Sequence, residues 1–168
     1  MENQDATLTN HDNSKATQVL NQVLVHLFND ILKVEERTLA QGPYSELTVT
    51  DMHTIEAIGQ TQSRNMTSIA KDLSITVGTL TIAINHLVKK GYVQRFRGTK
   101  DRRVVLVSLT QLGKDAFRHH MAFHDRMVKE IISQLDITEL DILVSSLQKV
   151  ELFFKNEKKQ LVKDKEDV

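Results

Sequence analysis

The stretch "MTSIAKDLSITVGTLTIAINHLVKKGYVQRFRGTKDRRVVLVSLT", residues 66–110, decides the fold. It opens with a short helical pattern, "MTSIAKDL", which "SIT" separates from a longer one, "VGTLTIAINHLVKK". Ser74 occupies the turn position, where glycine is common and serine is tolerated. Small and apolar residues stand where two closely crossing helices must touch, and the spacing therefore predicts a helix-turn-helix. These residues are Ile69, Ala70, Leu73, Ile75, Leu80 and Ala83.

The second half of the stretch predicts a β-hairpin joined to the second helix. Gly91 ends that helix, "YVQRFR" and "RVVLVSL" alternate as strands do, and "GTKD" turns between them with Gly98 at the tip. A two-stranded hairpin is marginally stable alone, so it must pack against the helices before it. The combination predicts a winged helix-turn-helix.

The hairpin is basic although the formal net charge of the whole chain is zero. From Lys71 to Arg103 there are eight basic and two acidic residues, a local charge of +6 that the remaining residues balance with −6. A local cationic surface of this kind is typical of proteins that contact phosphates. A solvated charged face without function is the alternative interpretation.

Amphipathic helices are predicted on both sides of the winged domain. Apolar residues repeat at three and four from Gln18 to Ala40, and the pattern returns after Thr110. Thr50 and Thr138 are the predicted caps of the second and the last helix. The apolar stripes exceed what one small winged domain can cover, which predicts a second copy of the chain as partner.

The predicted fold class is mainly α with a small β-hairpin wing, a winged helix-turn-helix with flanking dimerisation helices. The predicted divisions are a disordered N-terminal tail at 1–17, a dimerisation helix and connection at 18–48, the DNA-binding domain at 49–110, C-terminal dimerisation helices at 111–162 and a charged tail at 163–168.

Composition and motifs exclude several classes of function. The chain has no cysteine, which excludes disulfides, thiol nucleophiles and zinc sites that need a thiolate. Neither a membrane span nor a signal peptide is visible, so a cytoplasmic protein without a membrane partner is expected. No phosphate loop, dinucleotide turn or hydrolase motif appears, so neither an enzyme nor a cofactor is expected. A protein-interaction adaptor is a further alternative, which predicts no salt-dependent binding to DNA.

The motif Asp101-x-Arg103, followed through a strand by Leu109 and Thr110 and joined to a helix-turn-helix, resembles the MarR family of bacterial transcriptional regulators. The resemblance covers residues 18–160. Within the family, "DMHTIEAIG", "TVGTLTIAINHLVKKGYVQR", "KDRRVVLVSLT" and "HHMAFHDRMVKEII" are most similar to the FabT-type repressors of fatty acid synthesis genes. This resemblance implies a homodimer that binds an inverted repeat in double-stranded DNA, with long-chain acyl-acyl carrier protein as corepressor.

In a winged helix-turn-helix, the N-terminal half of the second helix faces the bases of the major groove. Asn85 is suited to an adenine edge and Ile82 to a thymine methyl, which favours an A·T-rich site. In the family, the residue that matches Arg103 enters the minor groove beside Asp101. The predicted DNA-binding residues are Lys71, Thr76, Gly78, Thr79, Thr81, Ile82, Asn85, Lys89, Arg95, Arg97, Gly98, Lys100, Asp101, Arg102 and Arg103.

Small ligands of the family lie between the dimerisation helices and the winged domain. We predict that an acyl chain enters an apolar channel there and shifts the dimer towards a spacing that fits DNA; ordinary core packing is the alternative for each lining residue. The sequence leaves open the operator, the acyl chain length and the sign of the effect. The predicted effector-binding residues are Val34, Leu39, Met52, Ile55, Met66, Phe117, Met121 and Phe123.

Histidines suggest a second type of input. His120 and His124 are one helical turn apart, a spacing at which two imidazoles can share a zinc ion. The zinc-responsive branch of the MarR family has histidines that match His53, His120 and His124. It also has a first-helix carboxylate, approximately matched by Glu35 or Glu36, together with a longer first connection and a cysteine that this chain lacks. Zinc is expected as a ligand only under this alternative. The competing interpretation is that the histidines have a structural role.

Overall fold

Six helices and three short strands make up the part of the chain that the computed structural model describes, residues 5–98 and 103–166. The predicted fold class, a mainly helical winged helix-turn-helix, is confirmed. The described residues form two units, with the boundary inside α5 between His119 and His120. The elements are α1 (Asp5–Ala40), α2 (Val49–Ile58), β1 (Arg64–Asn65), α3 (Met66–Leu73), α4 (Val77–Lys89), β2 (Val93–Arg97), β3 (Val105–Leu109), α5 (Gln111–Ser133) and α6 (Ile137–Glu166).

The helix-turn-helix forms where its apolar spacing predicts it. Asn65 caps α3, because its side chain accepts a hydrogen bond from the Ser68 N–H at 2.8 Å. Ser74 ends α3 in the left-handed region, at φ 58°, which a short polar side chain tolerates. Thr76 caps α4 by accepting from the Thr79 N–H. The crossing of α3 and α4 is buried through Ile69, Ala70 and Leu80.

The wing is part of a three-stranded antiparallel sheet in the order β1, β3, β2. In the hairpin, Val93 lies opposite Leu109 and Arg97 lies opposite Val105. Strand β1 pairs with the outer edge of β3, a contact that sequence alone does not predict because two residues are too few to show an alternating pattern. Residues 99–102, the predicted wing tip, lie outside the described residues.

The start of α5 packs tightly against the winged domain. The carbonyl oxygen of Tyr92 accepts the Thr110 N–H at 3.0 Å, and the Thr110 hydroxyl donates to the carbonyl of Gly91 at 2.7 Å. Gly113 is buried at this point, where a Cβ would overlap the Tyr92 carbonyl oxygen and lie 3.2 Å from the Leu109 Cβ. Glycine is therefore required by the close approach of helix and backbone.

Two predicted helix caps are wrong. Helix α2 is capped by Thr48 and not by Thr50, since Thr48 and Asp51 bond each other's backbone N–H groups in a capping box. The last helix begins at Ile137, with Asp136 and Glu139 exchanging the same pair of bonds, so Thr138 lies inside the helix. In both cases a carboxylate three residues after the cap decides between neighbouring polar residues.

The outer helices carry exposed apolar side chains and extend further than the spacing predicts. α1 begins at Asp5 and not near Gln18, because apolar periodicity marks the face that packs and says little about where a helix starts. On α1, Leu20 is 58% exposed and Phe28 62% exposed; on α6, in the second unit, Phe154 is 54% exposed. Among the described helices, none is long and apolar enough to cross a membrane.

Candidate nucleic-acid interface

Helix α4 presents polar and apolar side chains from its N-terminal half. Thr79, Ile82 and Asn85 are exposed, and Ile82 is the most exposed large apolar residue of this helix at 73%. Thr76 and Thr79 join their hydroxyls at 2.9 Å, while the Thr81 hydroxyl donates to the Val77 carbonyl at 2.7 Å. Thr79, Ile82 and Asn85 are therefore the α4 side chains best placed to reach a ligand.

A hollow of about 770 Å³ separates α3 and α4 from the wing strands. Three cationic side chains line it, Lys71 of α3, Arg95 of β2 and Arg103 in the turn before β3. Arg95 also reaches α4, since its guanidinium donates to the Thr81 carbonyl at 3.4 Å. The wing cations and α4 thus lie on a common surface. The full lining is Asn65, Met66, Thr67, Ser68, Lys71, Val77, Thr81, Arg95, Arg103, Val104 and Val105.

Asp72, the acidic residue next to Lys71, is compensated by a structural cation. Asp72 pairs with Arg64 at 2.6 Å, and the same guanidinium donates to the Ala57 carbonyl at 2.5 Å. Lys90 is directed away from the surface, to Asp51 at 3.6 Å and to the carbonyl of Glu46. Lys71 and Arg95 line the hollow, where their positive charge favours an anionic ligand.

The remaining predicted DNA-binding residues occupy different environments. Lys89 and Arg97 are exposed, and so is Gly78. Gly98 is buried, and its N–H donates to the Val104 carbonyl at 2.9 Å, so it closes the hairpin. The predicted contacts of Lys100, Asp101 and Arg102 lie outside the described residues.

Three polar residues of the hollow, Asn65, Thr67 and Ser68, are absent from the predicted set. They stand at the N-terminus of α3, where backbone N–H groups and short hydroxyl side chains suit an anion. The sequence "NMTS" directly before an apolar helix is the signal that could have indicated them, because such residues can cap a helix and offer hydrogen-bond donors to an anion.

A polar cluster behind the interface joins the segment between α1 and α2 to the far end of α4; we call Glu46, Asp51, His86, Lys90 and Tyr92 the α4 clamp. The imidazole of His86 donates from Nδ1 to Asp51 Oδ1 at 3.2 Å, and Lys90 pairs with the other oxygen at 3.6 Å. The Tyr92 hydroxyl donates to the Glu46 carboxylate. Each bond links residues at least 35 positions apart, so the cluster is a tertiary feature.

The clamp changes the acid–base properties of its members. Burial raises the pKa of Asp51, but the Thr48 N–H, His86 and Lys90 outweigh burial and hold the pKa below its ordinary value. The hydrogen bond from Tyr92 lowers the pKa of the Glu46 carboxyl. Burial, together with that bond to Glu46, raises the pKa of the Tyr92 phenol. Both carboxylates are therefore ionised at neutral pH.

A second cavity, of about 510 Å³, lies within the first unit between α1, the following connection and the start of α2. Its walls combine apolar side chains with a few polar groups, as small-molecule sites do. Of the eight predicted effector-binding residues, Leu39 lines it. The full lining is Leu32, Glu36, Leu39, Ala40, Ser45, Leu47, Thr48, Val49, Thr50 and His53.

The other predicted effector-binding residues are distributed over several environments. In the first unit, Met52, Ile55 and Met66 belong to the buried core, Phe117 packs against that core, and Val34 is 51% exposed. In the second unit, Met121 is half-buried and Phe123 buried. Their common role in binding an effector stays a prediction.

The histidines of the predicted zinc site make local contacts within each unit. In the second unit, Nε2 of His120 and Nε2 of His124 are 3.0 Å apart. In the first unit, Nε2 of His53 lies 3.1 Å from Oε1 of the buried Glu35 carboxylate. Each contact is an ordinary hydrogen bond or ion pair, and a pair of facing imidazole nitrogens is also the arrangement of two metal ligands.

Known proteins share this architecture. A family model described as the MarR family matches residues 47–105. The crystal structure of Streptococcus pneumoniae FabT in complex with DNA matches with a TM-score of 0.81 and 34% identity, over 83% of this chain and 98% of that chain. The chain belongs to the MarR family. MarR-family proteins are DNA-binding transcriptional regulators, so the expectation of a regulator and not an enzyme is confirmed.

Curated relatives agree with this assignment. The SarZ regulator of Staphylococcus haemolyticus is 34% identical over 105 residues, 62% of this chain and 70% of that protein. The uncharacterised YhjH regulator of Bacillus subtilis is 29% identical over 103 residues, 61% of this chain, and the match spans 59% of the relative's length. Both names describe HTH-type transcriptional regulators.

Proposed function

We propose that this MarR-family regulator is a repressor of fatty acid synthesis genes that binds an A·T-rich inverted repeat as a homodimer, with long-chain acyl-acyl carrier protein as corepressor. The observation that carries DNA binding is the hollow in which Lys71, Arg95 and Arg103 surround the edge of α4. Cations that surround a groove-reading helix hold the phosphates on each side of the groove and fix the helix in register.

The preference for A·T pairs rests on two side chains. Ile82 exposes an apolar surface on α4, and such a surface gains more from a thymine methyl than from a polar base edge. Arg103, beside the wing, is suited to a narrow minor groove, because the negative electrostatic potential of the groove is strongest where A·T tracts narrow it.

Homodimer formation rests on the exposed apolar faces of α1 and α6. Val23 and Leu27 continue the α1 face at about half exposure, and Leu147 continues that of α6 at 56%. Exposed apolar stripes of this length on long helices mark an interface, and a twofold partner is the simplest way to cover them. A dimer also presents two copies of α4, which an inverted repeat requires.

The fatty acid assignment rests on resemblance to the FabT branch, which extends over most of this chain and nearly all of the S. pneumoniae protein. An acyl chain needs an apolar channel, and the first unit offers a cavity walled by Leu32, Leu39 and Leu47. Under this proposal, binding of the acyl chain in this cavity changes the affinity of the protein for DNA.

Footprinting on fragments of the source genome, with and without long-chain acyl carrier protein, tests target and input together. We expect protection of a palindromic A·T-rich site upstream of fatty acid synthesis genes, at lower protein concentration when the acylated carrier is present. Carrier protein without an acyl chain is the matched control. Protection elsewhere in the genome, or equal protection with both carriers, would refute the fatty acid role and leave the DNA-binding role intact.

The facing nitrogens of His120 and His124 favour zinc sensing as a second candidate. The two imidazoles fit part of a zinc site, in which they would bind the ion directly and lose the shared proton. Zinc measured in protein purified without a histidine tag distinguishes the two inputs. One equivalent per chain that is lost in His124→Ala supports zinc, and none in either protein excludes it.

A further inference from the structure

The connection between α1 and α2, residues 41–48, faces two sites at once. Ser45, Leu47 and Thr48 line the 510 Å³ cavity, and Val49 continues that wall into α2. Leu47 is 4% exposed, so its side chain closes the cavity on the side of the winged domain's core. A molecule that enters this cavity must therefore press on the connection.

The same connection holds the α4 clamp. Glu46, between the two cavity residues Ser45 and Leu47, accepts the Tyr92 hydroxyl through its carboxylate and the Lys90 ammonium through its carbonyl. Asp51, one turn into α2, accepts from His86 of α4. The backbone that forms one wall of the cavity is thus tied to the end of α4 and to the residue before β2.

We infer that the clamp is the mechanical link by which occupancy of the cavity sets the position of α4 and the wing on DNA. This inference rests on the proposed function, because it assigns a route for the effector's action. Glu46 and Asp51 are positioning residues, which act on DNA through α4. The cavity suits a ligand with apolar and polar parts, such as an acyl chain and the polar group to which it is attached, since Leu32 and Leu39 offer apolar walls while Glu36 and His53 offer polar groups.

The position of Glu46 between two cavity-lining residues makes the coupling direct. Because Ser45 and Leu47 line the cavity while Glu46 between them bonds Tyr92, a displacement at Leu47 moves Glu46 with it through the rigid peptide unit that joins them. Asp51 is 5% exposed and its carboxylate is paired with His86 and Lys90, so these partners follow it to avoid an unpaired buried carboxylate.

Filling the cavity by mutation tests the link without an identified ligand. Ala40 lines the cavity from α1, and Ala40→Leu adds apolar volume there with a residue that favours helices. The matched control is Ala16→Leu, the same change at an exposed position of α1 that does not line the cavity. The clamp is weakened by Tyr92→Phe with Asp51→Asn, and its control is Tyr44→Phe, which removes a hydroxyl from a neighbouring ring outside the clamp.

The readout is the dissociation constant for a duplex selected by the wild-type protein from a random-sequence pool. We expect Ala40→Leu to change that constant by about fivefold or more, the lower end of typical coupling between sites, with an unchanged salt slope. In the clamp-weakened protein, Ala40→Leu should change it by less than about twofold. The control variants Ala16→Leu and Tyr44→Phe should leave the dissociation constant and the salt slope near their wild-type values.

Two results would overturn the inference: no effect of Ala40→Leu in the wild-type protein, or the same fold-change in both backgrounds, which would show that cavity and clamp act independently. If the double variant does not fold by circular dichroism, Tyr92→Phe alone, which retains the ring, decides between these outcomes. Failure of the wild-type protein to select any duplex would instead refute DNA recognition itself, and the inference with it.

Discussion

Replacing Lys71 by alanine tests whether the hollow between α3 and the wing holds phosphates. The hollow contains three cations, so a homodimer with two hollows neutralises six phosphates if each cation binds one. At about 0.9 released counterions per phosphate, these contacts give a slope of about −5.4 in a plot of log affinity against log salt. Lys71→Ala removes two contacts per dimer, and the slope falls to about −3.6.

The difference is large enough to measure. Doubling the salt concentration weakens the wild-type complex by about 40-fold through these contacts and the variant complex by about 12-fold. Fluorescence anisotropy with a labelled duplex at four salt concentrations gives both slopes. The loss should be equal on matched and mismatched duplexes, because a phosphate contact carries no sequence information.

The matched control is Lys33→Ala. Lys33 is an exposed lysine of α1, outside the hollow, and pairs with Asp30 at 3.4 Å. It should keep the wild-type slope. A Lys71→Ala slope equal to that of wild type would show that the hollow does not face phosphates, and the assignment of this surface would then be wrong.

Three further changes have definite expected outcomes. Arg103→Ala should weaken operator binding by about 1–3 kcal/mol in an electrophoretic shift assay, and binding equal to wild type would exclude a groove contact. Gly113→Ala should lower the free energy of unfolding by about 1–3 kcal/mol, because the new methyl overlaps the Tyr92 carbonyl; an unchanged thermal midpoint would contradict that packing. Asp51→Asn should destabilise the protein at pH 7 but not at low pH in urea titrations. Because the folded-state pKa of Asp51 is lowered, its carboxylate contributes stability at pH values above its ordinary pKa of about 3.9, and this stability is lost as the pH falls through the folded-state pKa. A difference in unfolding free energy between wild type and variant that stays constant over pH would disprove this role.

Local patterns were sufficient to predict most of the winged domain. The offsets of Ile69, Ala70 and Leu80 reflect how closely two helices must cross, and Gly91 and the alternation after it define a hairpin wherever they occur. The charge of the segment was also visible, because it is a property of composition. The DNA contacts assigned to individual side chains stay predictions.

Features that depend on distant partners were not predictable in this way. Asp51, which completes the local capping box of α2, is also held by His86 of another helix. Strand β1 exists because β3 offers a free edge. Of the predicted effector-binding residues, Leu39 lines the cavity beside the connection, whereas Met52, Ile55 and Met66 belong to the buried core. Hydrophobic periodicity marks such residues as buried but cannot separate a core residue from a cavity wall.

The sequence by itself determined the elements and the sign of their charge, because hydrophobic period, caps and basic residues act over a few neighbouring positions. Only the tertiary structure decided which cations share a hollow with α4. It also decided that Glu46, in the segment that lines the second cavity, bonds Tyr92, 46 positions away. The physical reason is that such pairings follow from how helices cross and which polar groups must be satisfied once buried, and both depend on the whole folded chain.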